Sequence, residues 1–435
     1  MNWPDLLNVS KNQTAGKART SFDRDYDRII FSHPFRKLQD KTQVHPLPEQ
    51  DFVHNRLTHS LEVSSVGRSL GRLVGEQVLE RSAGLKNHLN AHDFGVIVAS
   101  ASLAHDIGNP AFGHSGEEAI SEYFITNSSL LESRFTEQQW NDLVKFEGNA
   151  QGYRLLNKSG YQGLRLTEPT LAAFTKYPRP SKVADSFKPR RSQKKYGFYA
   201  SEQEVFSQMA STLNLKALSN HQWVRHPLAF LVEAADDICY HVIDLEDGCN
   251  LGLVAHDDTV ELYAGVIGDR FDKKKLNNIK SKNEQISILR ALAINELIEQ
   301  SVALFLDNES GILEGDFDYS LTDVISAKDY LEEIKKVSVE KIYRCRTVLE
   351  IEAAGFTVID GLLKAFVPSV ISEQPSRHDK INYRLLPEDV KTEIGTTEDL
   401  YQKIRSLLDF ISGLTDSSAM NLYRKITGIS LPGRA

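Results

Sequence analysis

The stretch "AHDFGVIVASASLAHD" (91 to 106) is apolar nearly all round, so it predicts a helix buried on every side. It does not end in an ordinary polar cap. It ends in His105 and Asp106 and runs on through "IGNPAFGHSGEEAI" (107 to 120), with a second His and two Glu. A carboxylate at the end of a buried helix costs free energy unless it is paired or ligates a metal. Gly108 is expected to supply a left-handed cap, and Pro110 prevents continuation of the helix. The fold must therefore surround this helix and give its polar end partners.

Other segments can surround it. "RLTHSLEVSSVGRSLGRLVGEQVL" (56 to 79) carries an apolar stripe at helical spacing, with His59 on the same helix. "HPLAFLVEAADDICYHVIDLEDG" (226 to 248) reads as another buried helix ending at Gly248, with Asp236, Tyr240 and Asp244 along one face. Helical patterns return from about 284 to 370 and from 396 to 427. Strand signals are scarce. The expected class is mainly all-α, with minor short strands: a core over 1–255 and a helical region over 256–435 packed on it. Residues 176–201 read as a loop, and 367–397 as a loop or small sheet. "DNESGILEGDFD" (307 to 318) fails the spacing of a calcium loop.

Composition narrows the class. Across 435 residues, 41% hydrophobic content and 25% charge suit a globular chain with a sizeable core. A net charge of -8 argues against a general nucleic-acid coat but allows a local basic cleft. The densest basic run, "KPRRSQKK" (188 to 195), reads as a solvated loop. Cys239, Cys249 and Cys345 form no CxxC pair and suit a reducing compartment. The N-terminus lacks a signal-peptide core, and no apolar run reaches the roughly 18 residues that span a bilayer. A cytoplasmic protein is expected. GxxxxGK[ST], GxGxxG and HExxH are absent.

Packing the three helices together would bring His59, His105, Asp106 and an Asp of "ADD" to one point. Two imidazoles with two carboxylates suit Mn²⁺, Fe²⁺, Co²⁺ or Mg²⁺ better than a structural Zn²⁺ site. From spacing alone, Asp236 and Asp237 are equal candidates. By default, His226 and His241 are core or surface histidines.

The order His, His-Asp, Asp resembles the HD-domain metal-dependent phosphohydrolases. More narrowly, the chain resembles the deoxyguanosine triphosphate triphosphohydrolase family. The likeness is carried by "RDYDRIIFSHPFRKLQDKTQV" (24 to 44), "HNRLTHSLEV" (54 to 63), "LAHDIGNPAFGHSGEEAI" (103 to 120), "FEGNAQGYRLL" (146 to 156), "LVEAADDICYHVIDLEDG" (231 to 248) and "ISGLTDSSAMNLYRKI" (411 to 426). The resemblance implies metal ligands His59, His105, Asp106 and Asp236, leaving Asp237 as a partner for Lys or Arg. It implies His114 and Glu117 as the proton-transfer pair, with Glu118 solvated. Arg56, Asn149, Lys176, Tyr177 and Lys195 would line the phosphates. Gln43, Tyr240 and Asp244 would read the sugar, and Tyr240 would exclude a 2′-hydroxyl.

The implied reaction is hydrolysis of a 2′-deoxynucleoside 5′-triphosphate, dGTP first among them, to deoxynucleoside and inorganic triphosphate. Water attacks the α-phosphorus with the help of a divalent ion: Mn²⁺ or Mg²⁺, with Fe²⁺, Co²⁺ or Ni²⁺ as alternatives. The resemblance also implies a homo-oligomer, hexamer or dimer, with weak single-stranded DNA binding a further expectation and no membrane partner. Two other readings compete. One is an HD phosphohydrolase acting on nucleoside monophosphates or cyclic nucleotides. The other is a non-catalytic nucleic-acid-binding HD module.

Overall fold

The computed structural model describes residues 1–12, 18–44, 54–82, 84–158, 163–183 and 190–430. The architecture is mainly α-helical. Among the described residues the only sheet is a two-stranded antiparallel pair, Ala217–Ser219 with Gln222–Trp223. The helices that position the polar centre are α1 (Arg56–Arg81), α2 (Ala91–Ala104), α3 (Gly113–Thr126), α4 (Gly148–Leu156), α5 (Pro227–Asn250), α6 (Lys282–Asp307), α7 (Arg346–Ile371), α8 (Leu400–Ser412) and α9 (Asp416–Ile426).

Local chemistry explains where several of them start. Asn55 caps α1 and Asn90 caps α2, each in a reciprocal capping box. His226 caps α5, its Nδ1 accepting the Leu228 N–H at 3.2 Å, and Pro227 occupies the first helical position. His226 is thus a core histidine, and burial pushes its pKa down to about 4. α1 lies on α2 through a strip of small residues. A Cβ at Gly71 would sit 2.6 Å from the Phe94 carbonyl oxygen, so no larger residue allows this approach.

Among the described residues two large apolar cores result, beside a small cluster of Ala150, Tyr196 and Tyr199. The larger gathers Val63, Leu70 and Val74 of α1, Phe94 and Ile97 of α2, Leu231 and Ile238 of α5, and Leu289 and Leu297 of α6. The second joins Ala119 and Phe124 of α3 to Val358, Leu362 and Phe366 of α7, Ile404 and Leu408 of α8, and Ala419 of α9. The turn after α2 bridges them: Ile107 belongs to the first core and Ala111 to the second.

Four expectations need correction. Residues 367–397 form no sheet. α7 runs to Ile371, and helices Arg377–Leu385 and Glu388–Gly395 follow, the first opened by a Ser376–Asp379 capping box and the second by Pro387 at its cap. Of the prolines that suggested a loop, Pro368 lies inside the last turn of α7, and Pro387 caps a helix start. α5 does not stop at Gly248 but continues to Asn250. α7 is long and apolar enough to cross a membrane by composition, yet Val358, Ile359, Leu362, Leu363 and Phe366 are all within the second core.

Gly108, finally, is not left-handed. It is required by contact: a Cβ there would lie 2.0 Å from the Gly148 carbonyl oxygen and 2.1 Å from the Gly152 nitrogen of α4. Those neighbours are backbone and cannot rotate away. Gly108→Ala is therefore expected to destabilise by about 3 kcal/mol or more, read from urea unfolding. A loss within about 0.5 kcal/mol would contradict this packing.

Buried ion pairs tie the helices together. Arg225 binds Glu233 of α5 at 2.6 Å with both side chains fully buried, and Arg154 of α4 binds Asp409 of α8 at 2.9 Å. Burial alone would raise both acids. Lys176, Arg225 and Arg191 outweigh it at Glu233, as Arg154 and Lys158 do at Asp409, and each carboxyl is pulled down to about 2. A depressed folded-state pKa contributes stability above the unfolded value and loses it as pH falls through the folded one. The unfolding free energy should therefore drop between pH 4.5 and about 2, seen as a falling urea midpoint. A midpoint unchanged across that window would contradict the pairing.

Candidate functional site

The polar end of α2 meets α1 and α5 as the sequence pattern required. Single donor atoms of His59, His105 and Asp106 lie within 4.8 Å of one another. Asp236 joins from α5, its Oδ1 lying 3.3 Å from His59 Nε2 and 3.5 Å from His105 Nε2. His105 Nδ1 lies 2.6 Å from the Ser102 carbonyl oxygen. A carbonyl only accepts, so Nδ1 carries a proton, which leaves Nε2, on the side of the carboxylates, as the nitrogen available to a cation. That is the orientation a metal-binding imidazole needs. The donor set of two imidazole nitrogens and carboxylate oxygens fits a divalent cation with oxygen-rich coordination.

The electrostatics agree. Burial would raise the Asp236 carboxyl, but the His105, His59 and Lys176 side chains hold it well below the usual carboxylate range. Asp106 is lowered in the same way, burial being outweighed chiefly by Arg56, whose Nη1 is 2.9 Å from Asp106 Oδ2. Asn109 Nδ2 donates to Asp106 Oδ1. Asp237 faces the other way and accepts the Ser320 and Thr322 hydroxyls at 2.7 and 2.6 Å. The Lys176 cation also acts on Asp237 at longer range, in keeping with the expected basic partner, but its direct contacts are the two hydroxyls.

Two cavities adjoin this set. One, of about 370 Å³, is lined by Gln43, Arg56, His59, His114, Tyr240, Tyr343 and the start of α7. The other, of about 260 Å³, is lined by Glu117, Glu147, Asn149, Lys176, Tyr177, Lys195 and Glu233. His105, Asp106, Asn109, His114 and Asp236 line both.

In the smaller cavity each of the two lysines has an acidic partner. Lys176 pairs with Glu233 at 3.3 Å, and Lys195 with Glu147 at 3.1 Å. Asn149 Nδ2 donates to Glu147 Oε1 at 2.7 Å. Glu117 Oε1 accepts the Gly148 N–H at 2.7 Å. Burial, with the Glu147 carboxylate adding to it, pushes Glu117 up to about 7. His114 keeps an exposed edge but is enclosed by protein elsewhere. That desolvation, with the Lys195 and Arg56 cations, lowers its pKa. Glu118 is exposed, as expected.

In the other cavity, Tyr240 stacks on Tyr343 with ring centroids 5.6 Å apart. The Tyr343 hydroxyl donates to Asp244 Oδ2 at 2.6 Å. Asp244 lines neither cavity; it stands behind this hydroxyl, and burial pushes its carboxyl up to about 7. Gln43 Oε1 is buried without a hydrogen-bond partner, an acceptor facing the cavity.

Sequence reasoning passed over Tyr343, Glu147 and Glu233. Glu147 lies inside the quoted "FEGNAQG", next to Asn149. Tyr343 sits in "KIYRCR", which carries no periodic or motif signal. In the basic run Lys194 is exposed, as expected, but Arg190, Arg191 and Lys195 are engaged by the protein. Arg190 donates to the Gly315 carbonyl, Arg191 pairs with Glu233 and Asp323, and Lys195 with Glu147; residues 188 and 189 lie outside the described residues.

Comparison with known proteins places this geometry. Residues 326–425 match a family model described as a phosphohydrolase-associated domain. A deoxyguanosinetriphosphate triphosphohydrolase-like protein of Synechocystis is 41% identical over 99% of this chain and 100% of its own length. One from Pseudomonas aeruginosa is 38% identical with the same coverage. A deoxyguanosinetriphosphate triphosphohydrolase of Salmonella paratyphi A is 31% identical over 94% of each chain. The chain belongs to the deoxyguanosinetriphosphate triphosphohydrolase family. The similarity to these enzymes runs through the residues of both apolar cores.

Proposed function

We propose that this chain hydrolyses 2′-deoxynucleoside 5′-triphosphates, dGTP foremost, to deoxynucleoside and inorganic triphosphate. One observation carries the reading: the donor set of His59, His105, Asp106 and Asp236 lies where a cavity with two lysines joins a cavity with stacked tyrosines. A polyphosphate suits the first and a nucleoside the second, which leaves the α-phosphorus at the junction. A divalent cation held by that set, Mn²⁺ or Mg²⁺, supplies Lewis acidity toward phosphate oxygen and water.

The chain's own groups do the rest. Arg56, Lys176 and Lys195 neutralise the phosphates, Lys176 and Lys195 exchanging Glu233 and Glu147 for phosphate oxygens. Asn149 and Tyr177 orient the same arm. Water attacks the α-phosphorus, the bond to O5′ breaks, and His114 gives its proton to O5′. The imidazole pKa is lowered in the free chain by burial and then by the Lys195 and Arg56 cations. Bound triphosphate supplies the opposite charge and favours the protonated form. Glu117, poised near neutrality, holds a proton one turn away on α3.

Gln43 hydrogen-bonds the 3′-hydroxyl; Asp244, expected to share that contact, is set back from the cavity and instead fixes the Tyr343 hydroxyl that lies between. Tyr240, stacked on Tyr343, fills the space a 2′-hydroxyl would need; burying that hydroxyl without a partner costs roughly 2–7 kcal/mol. Residues 1–255 carry these groups, and 256–435 brace them. The working form in the cytoplasm is taken to be a homo-oligomer, dimer or hexamer. A mononucleotide or cyclic-nucleotide substrate would leave the lysine-lined cavity without use.

Separating the products of the four dNTPs, GTP, dGMP and a cyclic nucleotide with manganese tests the reading. Triphosphate release from dNTPs alone is expected. Release of pyrophosphate, or equal turnover of GTP, would overturn it.

A further inference from the structure

The turn from Asn109 to Gly113 sets where His114 stands, and its backbone is unusual. Phe112 takes φ +61° and ψ +18°, a left-handed conformation that residues with a Cβ disfavour. Something outside the turn has to hold it. Asp416, the first residue of α9, is buried, and its two carboxylate oxygens are divided between two N–H groups. Oδ1 accepts the Phe112 N–H and Oδ2 the Thr42 N–H, each at 2.9 Å.

One carboxylate thus ties the residue two before His114 to the residue before Gln43. Lys41 reinforces the link from the other side. Its buried Nζ donates to the carbonyls of Asn109 and Ser412, and its own carbonyl accepts the Arg56 N–H at 3.1 Å. A second grip comes from α7. A Cβ at Gly355 would lie 2.5 Å from Cβ and Cγ of Phe112, so that glycine makes room for the ring.

We propose that Asp416 is a positioning residue: it staples the His114 turn to the Gln43 segment, while Gly355 seats Phe112, so that the C-terminal region registers the proton donor against the sugar site. This rests on the reading of the site given above. It also gives the phosphohydrolase-associated region, which contains both residues, a task in the reaction beyond covering a core.

The test compares the full chain with Asp416→Ala, Asp416→Asn, Gly355→Ala and a packing control, Ile404→Ala, in the second core away from the turn. All are assayed well below their unfolding temperatures. Asp416→Ala is expected to lower kcat about 10- to 100-fold, since a displacement near 1 Å costs on that order. KM and manganese affinity should stay within about threefold, because the ligand helices are not held by Asp416. Asp416→Asn keeps one acceptor and should fall between. Gly355→Ala crowds Cβ and Cγ of Phe112 and should lower kcat together with the unfolding temperature, the overpacking outweighing the gain in helix propensity. Ile404→Ala should lower the unfolding temperature with kcat kept.

The proposal is overturned if kcat of Asp416→Ala matches wild type, or if Ile404→Ala loses kcat equally at the same stability. Should the wild-type chain turn over no dNTP, the site reading itself fails, and amide exchange decides the staple alone. Faster exchange at Thr42 and Phe112 in Asp416→Ala, with α1 amides still protected, supports it; unchanged exchange sinks it.

Discussion

Replacing His114 with Ala is expected to lower kcat for dGTP hydrolysis by about 10²- to 10⁴-fold, the range that general acid catalysis contributes. The argument starts from the leaving group. A 5′ alkoxide is a poor one, and His114 is a titratable side chain that borders both cavities together with the ligand set. It is not itself among the groups of that set, so manganese affinity should not move. The unfolding temperature should also hold, because the imidazole keeps an exposed edge and fills no core. Glu117→Gln should show a smaller loss of the same kind, since Glu117 is one step removed from the reacting oxygen. A His114→Ala enzyme within about threefold of wild type would remove the general acid from the account.

The second large effect concerns the cation. Chelator-treated protein without added metal is expected to show no turnover above background, and manganese should restore it. A readout independent of activity exists, because a ligand that binds only the folded state stabilises it by mass action. Free manganese at about 1,000 times its dissociation constant should add about 4 kcal/mol to the unfolding free energy. His105→Ala and Asp106→Asn should lose both the activity and that increment. The physical reason is the arrangement of lone pairs. His59 Nε2 and His105 Nε2 lie 3.3 and 3.5 Å from Asp236 Oδ1, an arrangement that a bound cation would bridge. Full-speed turnover by the chelated protein would contradict the role assigned to the set.

Much of this centre was legible before any coordinates. An apolar helix ending in His105 and Asp106 can only be buried, and a buried acid needs partners. His59 and the "ADD" triplet lay on the two other helices with apolar stripes, so convergence was expected; the choice of Asp236 over Asp237 came from the family resemblance. What could not be read shares one cause: contacts made by residues far apart in the chain. Tyr343 meets Asp244 from 99 residues away, and Asp416 meets Phe112 from 304. No local period encodes either. Gly108 shows the same limit from the other side. Its local context suggested a helix cap, whereas the backbone of α4 is what excludes a side chain there. The basic run read as solvent-exposed because its partners, Glu233, Asp318 and Asp323, come from elsewhere in the chain.

Attack at phosphorus is the claim on which the assigned roles depend, and isotope labelling addresses it most directly. Hydrolysis of dGTP by the manganese-loaded enzyme in ¹⁸O-labelled water should place the label in the released triphosphate and leave deoxyguanosine unlabelled. Label in the deoxyguanosine 5′-hydroxyl would mean that carbon, not phosphorus, is attacked, and would contradict the account.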